Sequence, residues 1–364
     1  MSMKDYRIRV VVCGVTFGRI YIDAILKLKR KYKLVGLVAK GSDLAREYAR
    51  RLEVPLFTEV ESVNKEDVDL ACVVIRSGAV GGKGTEIALE LLAKGINVIQ
   101  EQPIRLEEIS KCIRMANKTH SIYYLNCFYS DVITTQKLLH IVQLLRGHTT
   151  IRHIEATTSI HVLFPMIDIL GKITNGFRPW NFKKICEIEG PCSYTIWNGK
   201  IKDISIMIKI YNEMDFKNPD NYMRAFHRFI IECDSGSLIM DDTHGNISWR
   251  PMLYMKRQEN KEFIIDDNCY GEIPISEKIF EAKNYCAKDI FEFFWPQALV
   301  NMLLYIHEII KNTNERINTQ YIISVCEIWE EIGGNTRSLP VCNSERLEPL
   351  QIRNIVEEGL YNAK

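Results

Sequence analysis

The chain has no apolar run approaching the roughly 20 residues that a membrane-crossing helix needs. It also has no excess of either charge: 364 residues carry 47 Lys and Arg against 46 Asp and Glu, a formal net charge of +1. The first absence excludes a helical span. The second argues against a general nucleic-acid surface or a polybasic membrane surface, since both need a basic excess. Among 11 cysteines there is no C-x-x-C pair, and no His stands at ligand spacing from a Cys pair, so no zinc motif is legible. Cys13, Cys72 and Cys326 lie in apolar runs, where a thiol behaves as a small hydrophobe. Internal repeats and low-complexity segments are missing as well. The polar stretch from Met1 to Arg9 leads straight into a strand pattern, without the apolar region of a secretory signal. Together these predict a cytoplasmic protein with reduced thiols rather than a disulfide scaffold.

What is present is a globular composition, 46% apolar and 26% charged. At roughly 150 residues per domain the length predicts two domains. Up to Cys127, β-branched runs (residues 7–13, 33–39, 70–75, 97–100, 122–126) alternate with amphipathic helical patterns (18–31, 43–52, 85–94, 107–119). Such alternation predicts parallel βαβ units in a doubly wound Rossmann sheet. Beyond it, a helix over 134–145 is followed by strand-like segments at 153–159, 195–200, 205–211, 229–233 and 236–241, then helices over 291–311 and 320–332. Short turns between consecutive strands predict a mostly antiparallel sheet. The fold class is therefore α/β: a Rossmann domain over 1–127, joined to an α+β domain over 128–364 with a mostly antiparallel sheet and C-terminal helices, which would cover the site and hold the substrate.

The first strand ends in Gly14-Val15-Thr16-Phe17-Gly18. A glycine turn between strand and helix lets backbone N–H groups face a pyrophosphate. Here only part of the G-x-G-x-x-G pattern is present, so the turn alone also fits a ligand-free βα connection, and the βαβ context favours a dinucleotide. At the end of the second strand stand Lys40, Gly41 and Ser42, with Arg46 one turn on, where NAD sites usually place an acid. Cations and a hydroxyl suit a 2′-phosphate, which predicts NADPH/NADP+ over NADH; Asp43 reads as a first-turn helix residue, where the dipole favours an acid. A second glycine-rich loop, Arg76-Ser77-Gly78-Ala79-Val80-Gly81-Gly82, lies at the fourth strand's end, beside the expected crevice, so Arg76, Ser77 and Gly82 are candidate cofactor contacts.

The stretches CGVTFGRIY, LVGLVAKGS, ACVVIRSGAVGGKGT, GINVIQEQP, LNCFY and ATTS, from Val11 to about Ser159, resemble the Gfo/Idh/MocA oxidoreductases. Within that group they are most similar to the thiazolinyl imine reductases of siderophore biosynthesis, of yersiniabactin and pyochelin type. The second half is matched more thinly, through Ile167 to Leu170 and Gly334-Asn335. The resemblance implies NADPH-dependent reduction of a thiazoline C=N bond to a thiazolidine. The substrate would be a thioester on a carrier domain of a nonribosomal peptide synthetase, and the enzyme a homodimer. Glu101 falls within the family's Glu-Lys-Pro motif and joins the candidate cofactor contacts Gly14, Thr16, Phe17 and Gly18.

Imine reduction needs a hydride at carbon and a proton at nitrogen. The resemblance implies Tyr129 as the general acid. Gln102 occupies the place of the family's Lys, and of a His in related imine reductases; it cannot usefully donate a proton but can hydrogen-bond substrate or nicotinamide amide. His161 is a second candidate acid, with a side chain that titrates near neutrality, and a water relay is a third route. Asn126 and Asp168 are candidate substrate contacts, the latter without the His that precedes it in the wider family. A basic patch at Lys27, Lys29, Arg30, Lys31 and Lys33 would suit an acidic carrier helix, or is a solvated helix end. Two other readings stay open: an NADP-linked reductase of another small imine or carbonyl compound, and a non-catalytic dinucleotide sensor.

Overall fold

The computed structural model describes residues 7–218, 221–254, 257–259, 271–283, 285–312, 317–341, 349, 350, 352 and 356. Most of the polar stretch from Met1 to Arg9 therefore lies outside the described residues. The first domain runs β1 (Ile8–Cys13), α1 (Gly18–Lys27), β2 (Tyr32–Val38), α2 (Asp43–Leu52), β3 (Leu56–Phe57), β4 (Leu70–Val73), α3 (Gly84–Ala93), β5 (Asn97–Glu101), α4 (Leu106–Thr119) and β6 (Tyr123–Asn126). All six strands pair in parallel, in the order β3-β2-β1-β4-β5-β6. β1 and β4 are buried almost throughout, as helices on both faces require. The order reverses between β1 and β4, and a crevice opens beyond the carboxyl ends of the strands there. Ser42 caps α2 as its sequence predicts: its Oγ accepts from the Ala45 N–H at 3.3 Å.

The chain continues through α5 (Ile133–Leu145), β7 (Ile151–Ser159), α6 (Leu163–Ile173), β8 (Trp180–Ile188), β9 (Tyr194–Ile201), β10 (Ile204–Tyr211), β11 (Glu213–Met214), β12 (His227–Cys233), β13 (Gly236–Met240), β14 (Ile247–Pro251) and β15 (Glu277–Phe280). A short α7 (Ala287–Asp289) and a π-helical turn, Ile290–Phe294, lead into α8 (Trp295–Lys311), α9 (Thr319–Gly334) and β16 (Leu339–Pro340). Eight strands form the second sheet, in the order β15-β14-β13-β12-β7-β10-β9-β8. It is antiparallel except for the pair β7/β10. Helix α6 packs between β7, α5 and α9 on one face. The alternation of buried and half-buried residues along β10 leaves the other face open.

Several elements escape the sequence pattern. Ten of the 11 residues of α6 are buried, so it has no polar stripe to betray a helix. β8, at the sheet edge, and β14 and β15 are short or largely exposed. The last helices also reach back to the first domain. Tyr32 donates its hydroxyl to the Leu303 carbonyl of α8 at 2.6 Å, and the Leu106 N–H at the start of α4 donates to Glu330 of α9 at 2.6 Å. The first residue of α8, Trp295, stands against Phe17 of the Gly14 turn, with ring centroids 5.7 Å apart.

Candidate active site

Gly14 leaves β1 with φ +90°, and a Cβ there would lie 2.6 Å from the Val74 carbonyl oxygen. Only glycine lets the chain turn this tightly against β4. α1 then begins at Gly18 with no side chain capping its first N–H groups, which leaves them for an anionic ligand. Thr16 is exposed at this turn. Phe17, expected at the cofactor, packs its ring onto Phe128 and Trp295 at centroid distances of 5.9 and 5.7 Å.

Arg46 folds back over Gly41, its Nη2 3.6 Å from where a Cβ of Gly41 would stand. Lys40, Ser42 and Arg46 are exposed, and among the described residues no ion pair neutralises either cation. The second glycine loop is a built turn: the Gly82 N–H donates to the Ser77 carbonyl at 2.8 Å, and a Cβ on Gly82 would meet the Arg76 carbonyl oxygen at 2.0 Å. Ser77, expected to reach the cofactor, is instead buried, its hydroxyl donating to the Pro103 carbonyl at 2.6 Å. Arg76 is exposed at the rim.

The carboxyl ends of β5 and β6 hold the densest polar group facing this crevice. Glu101 and Asn126 are register partners. Tyr21, fully buried on α1, donates its hydroxyl to Glu101 Oε2. Asn126 Nδ2 donates to the same Oε2 at 3.2 Å and to the Tyr21 hydroxyl oxygen at 2.5 Å. Three acceptors in this group are buried with no protein donor: Glu101 Oε1, Gln102 Oε1 and Asn126 Oδ1. Buried polar atoms are rarely left so, and a cluster of them marks where a ligand supplies the missing partners. Burial pushes the Glu101 carboxyl up to about 8, against the hydrogen bonds from Tyr21, Asn126 and the Gln102 backbone, so it is largely neutral at pH 7.

Beyond β6 the chain makes an aromatic wall. Tyr129 is 5% exposed and stacks on Phe128 at 4.4 Å; Trp295 meets both edge-on, at 5.5 Å from Phe128 and 5.9 Å from Tyr129. The Trp295 Nε1–H is buried without an acceptor. His227 of β12 lies edge-on to Tyr129 at 5.0 Å. Its Nε2 is 3.0 Å from the Val162 carbonyl, which can only accept, so the proton sits on Nε2 and Nδ1 accepts from Thr243 at 2.7 Å. Burial lowers its pKa to about 3, so it is neutral. His161 is half-buried in the 3₁₀ turn Ile160–Val162, one residue from this carbonyl.

Asp168, expected to touch substrate, is instead 2% exposed inside the second domain. Its carboxylate is fully engaged: Ser130 donates to Oδ2, Lys172 lies 3.0 Å from Oδ2, and the Tyr321 hydroxyl donates to Oδ1 at 3.0 Å. It ties α6 to α9 and to the turn carrying Tyr129. Tyr21, Trp295 and His227 are absent from the sequence-derived candidates. Tyr21 had a signal: it is the fourth residue of α1, about one turn along, on the buried face of the helix. Trp295 and His227 had none, because only the tertiary fold brings them to Tyr129. No group of three His, Cys, Asp or Glu side chains suited to a metal occurs among the described residues.

Residues 8–127 match a family model described as oxidoreductase family, NAD-binding Rossmann fold, of the Gfo/Idh/MocA group. Residues 149–250 match one described as thiazolinyl imine reductase Irp3-like, C-terminal. No curated protein matches the chain by sequence. Solved structures align over nearly its whole length. A dehydrogenase from Chromobacterium violaceum is 12% identical with a TM-score of 0.66, covering 98% of both chains. A UDP-N-acetylglucosamine 3-dehydrogenase from Acidithiobacillus ferrooxidans is 14% identical with a TM-score of 0.61, covering 90% of this chain and 97% of that one. A biliverdin reductase from Synechocystis, solved with biliverdin and NADP+, is 9% identical with a TM-score of 0.61, covering 90% of this chain and 98% of that one. At such identities these neighbours show the fold alone.

Proposed function

Since the chain belongs to the Gfo/Idh/MocA oxidoreductases and carries an Irp3-like C-terminal domain, we propose that it reduces the C=N bond of a carrier-tethered thiazoline to a thiazolidine with NADPH. The observation that carries the reading is the open cluster at the ends of β5 and β6. Acceptor oxygens of Glu101, Gln102 and Asn126 stand without donors there, near an aromatic wall that suits a flat heterocycle. Gln102 in place of the family's Lys disfavours the usual polyol oxidation, which needs a base at that position.

The residues fit a nicotinamide dinucleotide. The Gly14 turn and the uncapped start of α1 would take the pyrophosphate. Lys40 and Arg46, both unneutralised, would take the 2′-phosphate, with the Ser42 hydroxyl still free to donate because it only accepts in its cap. Gln102 Oε1 and Asn126 Oδ1 would accept from carboxamide or ribose donors. When bound, the dihydronicotinamide supplies the hydride. Phe128, Tyr129 and Trp295 exclude water and hold the heterocycle. Lys27 and Lys29 at the end of α1 would meet an acidic helix of the carrier domain, beside a cleft of about 520 Å³ whose lining also holds Arg19, Asp23 and Glu292. The open face of the second sheet would pair two subunits.

The test is NADPH oxidation by the purified protein with a synthetic aryl-thiazolinyl thioester, with NADH in a parallel cell. Thioester-dependent consumption of NADPH, with NADH markedly slower, is expected. Tight NADPH binding without consumption would instead favour the sensor, or a different imine or carbonyl substrate.

A further inference from the structure

The reaction above needs a proton at nitrogen, and the geometry points to a source other than Tyr129 or His161. We propose, resting on that reading of function, that Glu101 is the proton donor, delivering the proton on its Oε1 to the imine nitrogen. The two carboxyl oxygens are not equivalent. Oε2 accepts from both Tyr21 and Asn126, whereas Oε1 is buried with no side-chain partner among the described residues. A neutral carboxyl held in this way carries its proton on Oε1, because Oε2 is already taken by two donors. The neighbouring unpartnered atoms, Gln102 Oε1 and Asn126 Oδ1, are acceptors. Protonation of Glu101 therefore supplies a donor that the cluster otherwise lacks.

The titratable groups facing Glu101 are Tyr21 from α1, Cys72 from β4 and Cys127 just beyond β6. Burial raises all three, so each stays neutral and none opposes a neutral carboxyl with a fixed charge. The dihydronicotinamide, when bound, would supply the hydride that reduces the imine carbon and would itself be oxidised. The π pair of the C=N bond settles on nitrogen and forms the new N–H bond as the Oε1–H bond breaks. Glu101 is left as a carboxylate, steadied by the Tyr21 and Asn126 donors, and regains its proton from water after product leaves.

Two measurements test this on the full chain. The first is infrared titration of wild type against Glu101→Gln. Wild type should show the carbonyl stretch of a neutral carboxylic acid at pH 7 that fades on alkaline titration with a midpoint near 8 and is missing from the variant. Identical spectra at pH 7 would overturn the proposal. The second is turnover with the thiazolinyl thioester. Glu101→Gln should lose roughly 10²–10⁴-fold in kcat, and the wild-type fall in kcat above pH 8 should vanish from the residual rate. A variant that keeps wild-type kcat, while wild type is active, would overturn Glu101 as donor and leave the functional reading intact. An inactive wild type would sink the functional reading and the proposal together.

Discussion

Two buried polar clusters come closest along the chain just after β6, where Asn126 of one and Ser130 of the other stand four residues apart, and they are built on opposite plans. Around Asp168 every carboxylate oxygen has a donor: Ser130, Lys172 and Tyr321 converge on it from three elements. Around Glu101 the side-chain donors converge on one oxygen only, and three acceptors have no side-chain donor among the described residues. A saturated network fixes elements to one another and has nothing left to offer a ligand. An unsaturated one costs stability in the free protein and persists where a ligand completes it. On the proposed function, the contrast puts chemistry at the strand ends of the first domain and scaffolding in the second, although both clusters hold a carboxylate that sequence motifs single out.

The comparison breaks or sharpens under substitution. Asp168→Asn should cost about 3 kcal/mol, because it unbalances a buried pair whose Lys172 partner is only partly shielded; denaturant midpoints measure it, and a loss under about 1 kcal/mol would mean that the cluster holds little together. The open cluster should reveal itself through pH. Glu101 titrates near 8 when folded against an ordinary 4.5, so the folded protein keeps a proton that the unfolded chain has lost between those values. Wild-type stability therefore receives the full contribution below pH 4.5 and loses it as pH rises towards 8, a slope that Glu101→Gln lacks. Parallel stability curves for the two proteins would refute the raised pKa. Lys40→Ala and Arg46→Ala should each weaken NADPH binding about tenfold, roughly 1.4 kcal/mol, and leave NADH nearly unchanged; equal losses for both cofactors would remove the 2′-phosphate from this corner. Smallest, Ser42→Ala should lower stability by about 1 kcal/mol through the lost cap of α2.

Much of the first domain is legible because its signals are local. Strands buried on both faces read as apolar β-branched runs, Gly14 announces a turn, and Ser42 announces a helix start. The second domain hides where burial erases periodicity, as in α6, or where exposure dilutes it, as along β8. The site divides in the same way. Glycines and cations at strand ends can be found by position, since βαβ topology fixes where those ends go. The partners that decide their chemistry cannot: Tyr21 bonds Glu101 across 80 positions of sequence, and Trp295 reaches Tyr129 only through the return of α8. Asp168 is the converse case: the sequence makes it a candidate substrate contact, and only the fold shows that Ser130, Lys172 and Tyr321 already occupy its carboxylate.

The most direct test of the division between scaffold and site compares two near-isosteric neutralisations, Glu101→Gln and Asp168→Asn, in one experiment. Thermal midpoint and turnover with the thiazolinyl thioester are measured on the same preparations. Glu101→Gln should lose turnover by at least about a hundredfold without a fall in midpoint at pH 7. Asp168→Asn should lower the midpoint while each folded molecule turns over near the wild-type rate. The reverse pattern, a catalytic defect at Asp168 and a purely structural one at Glu101, would contradict the account.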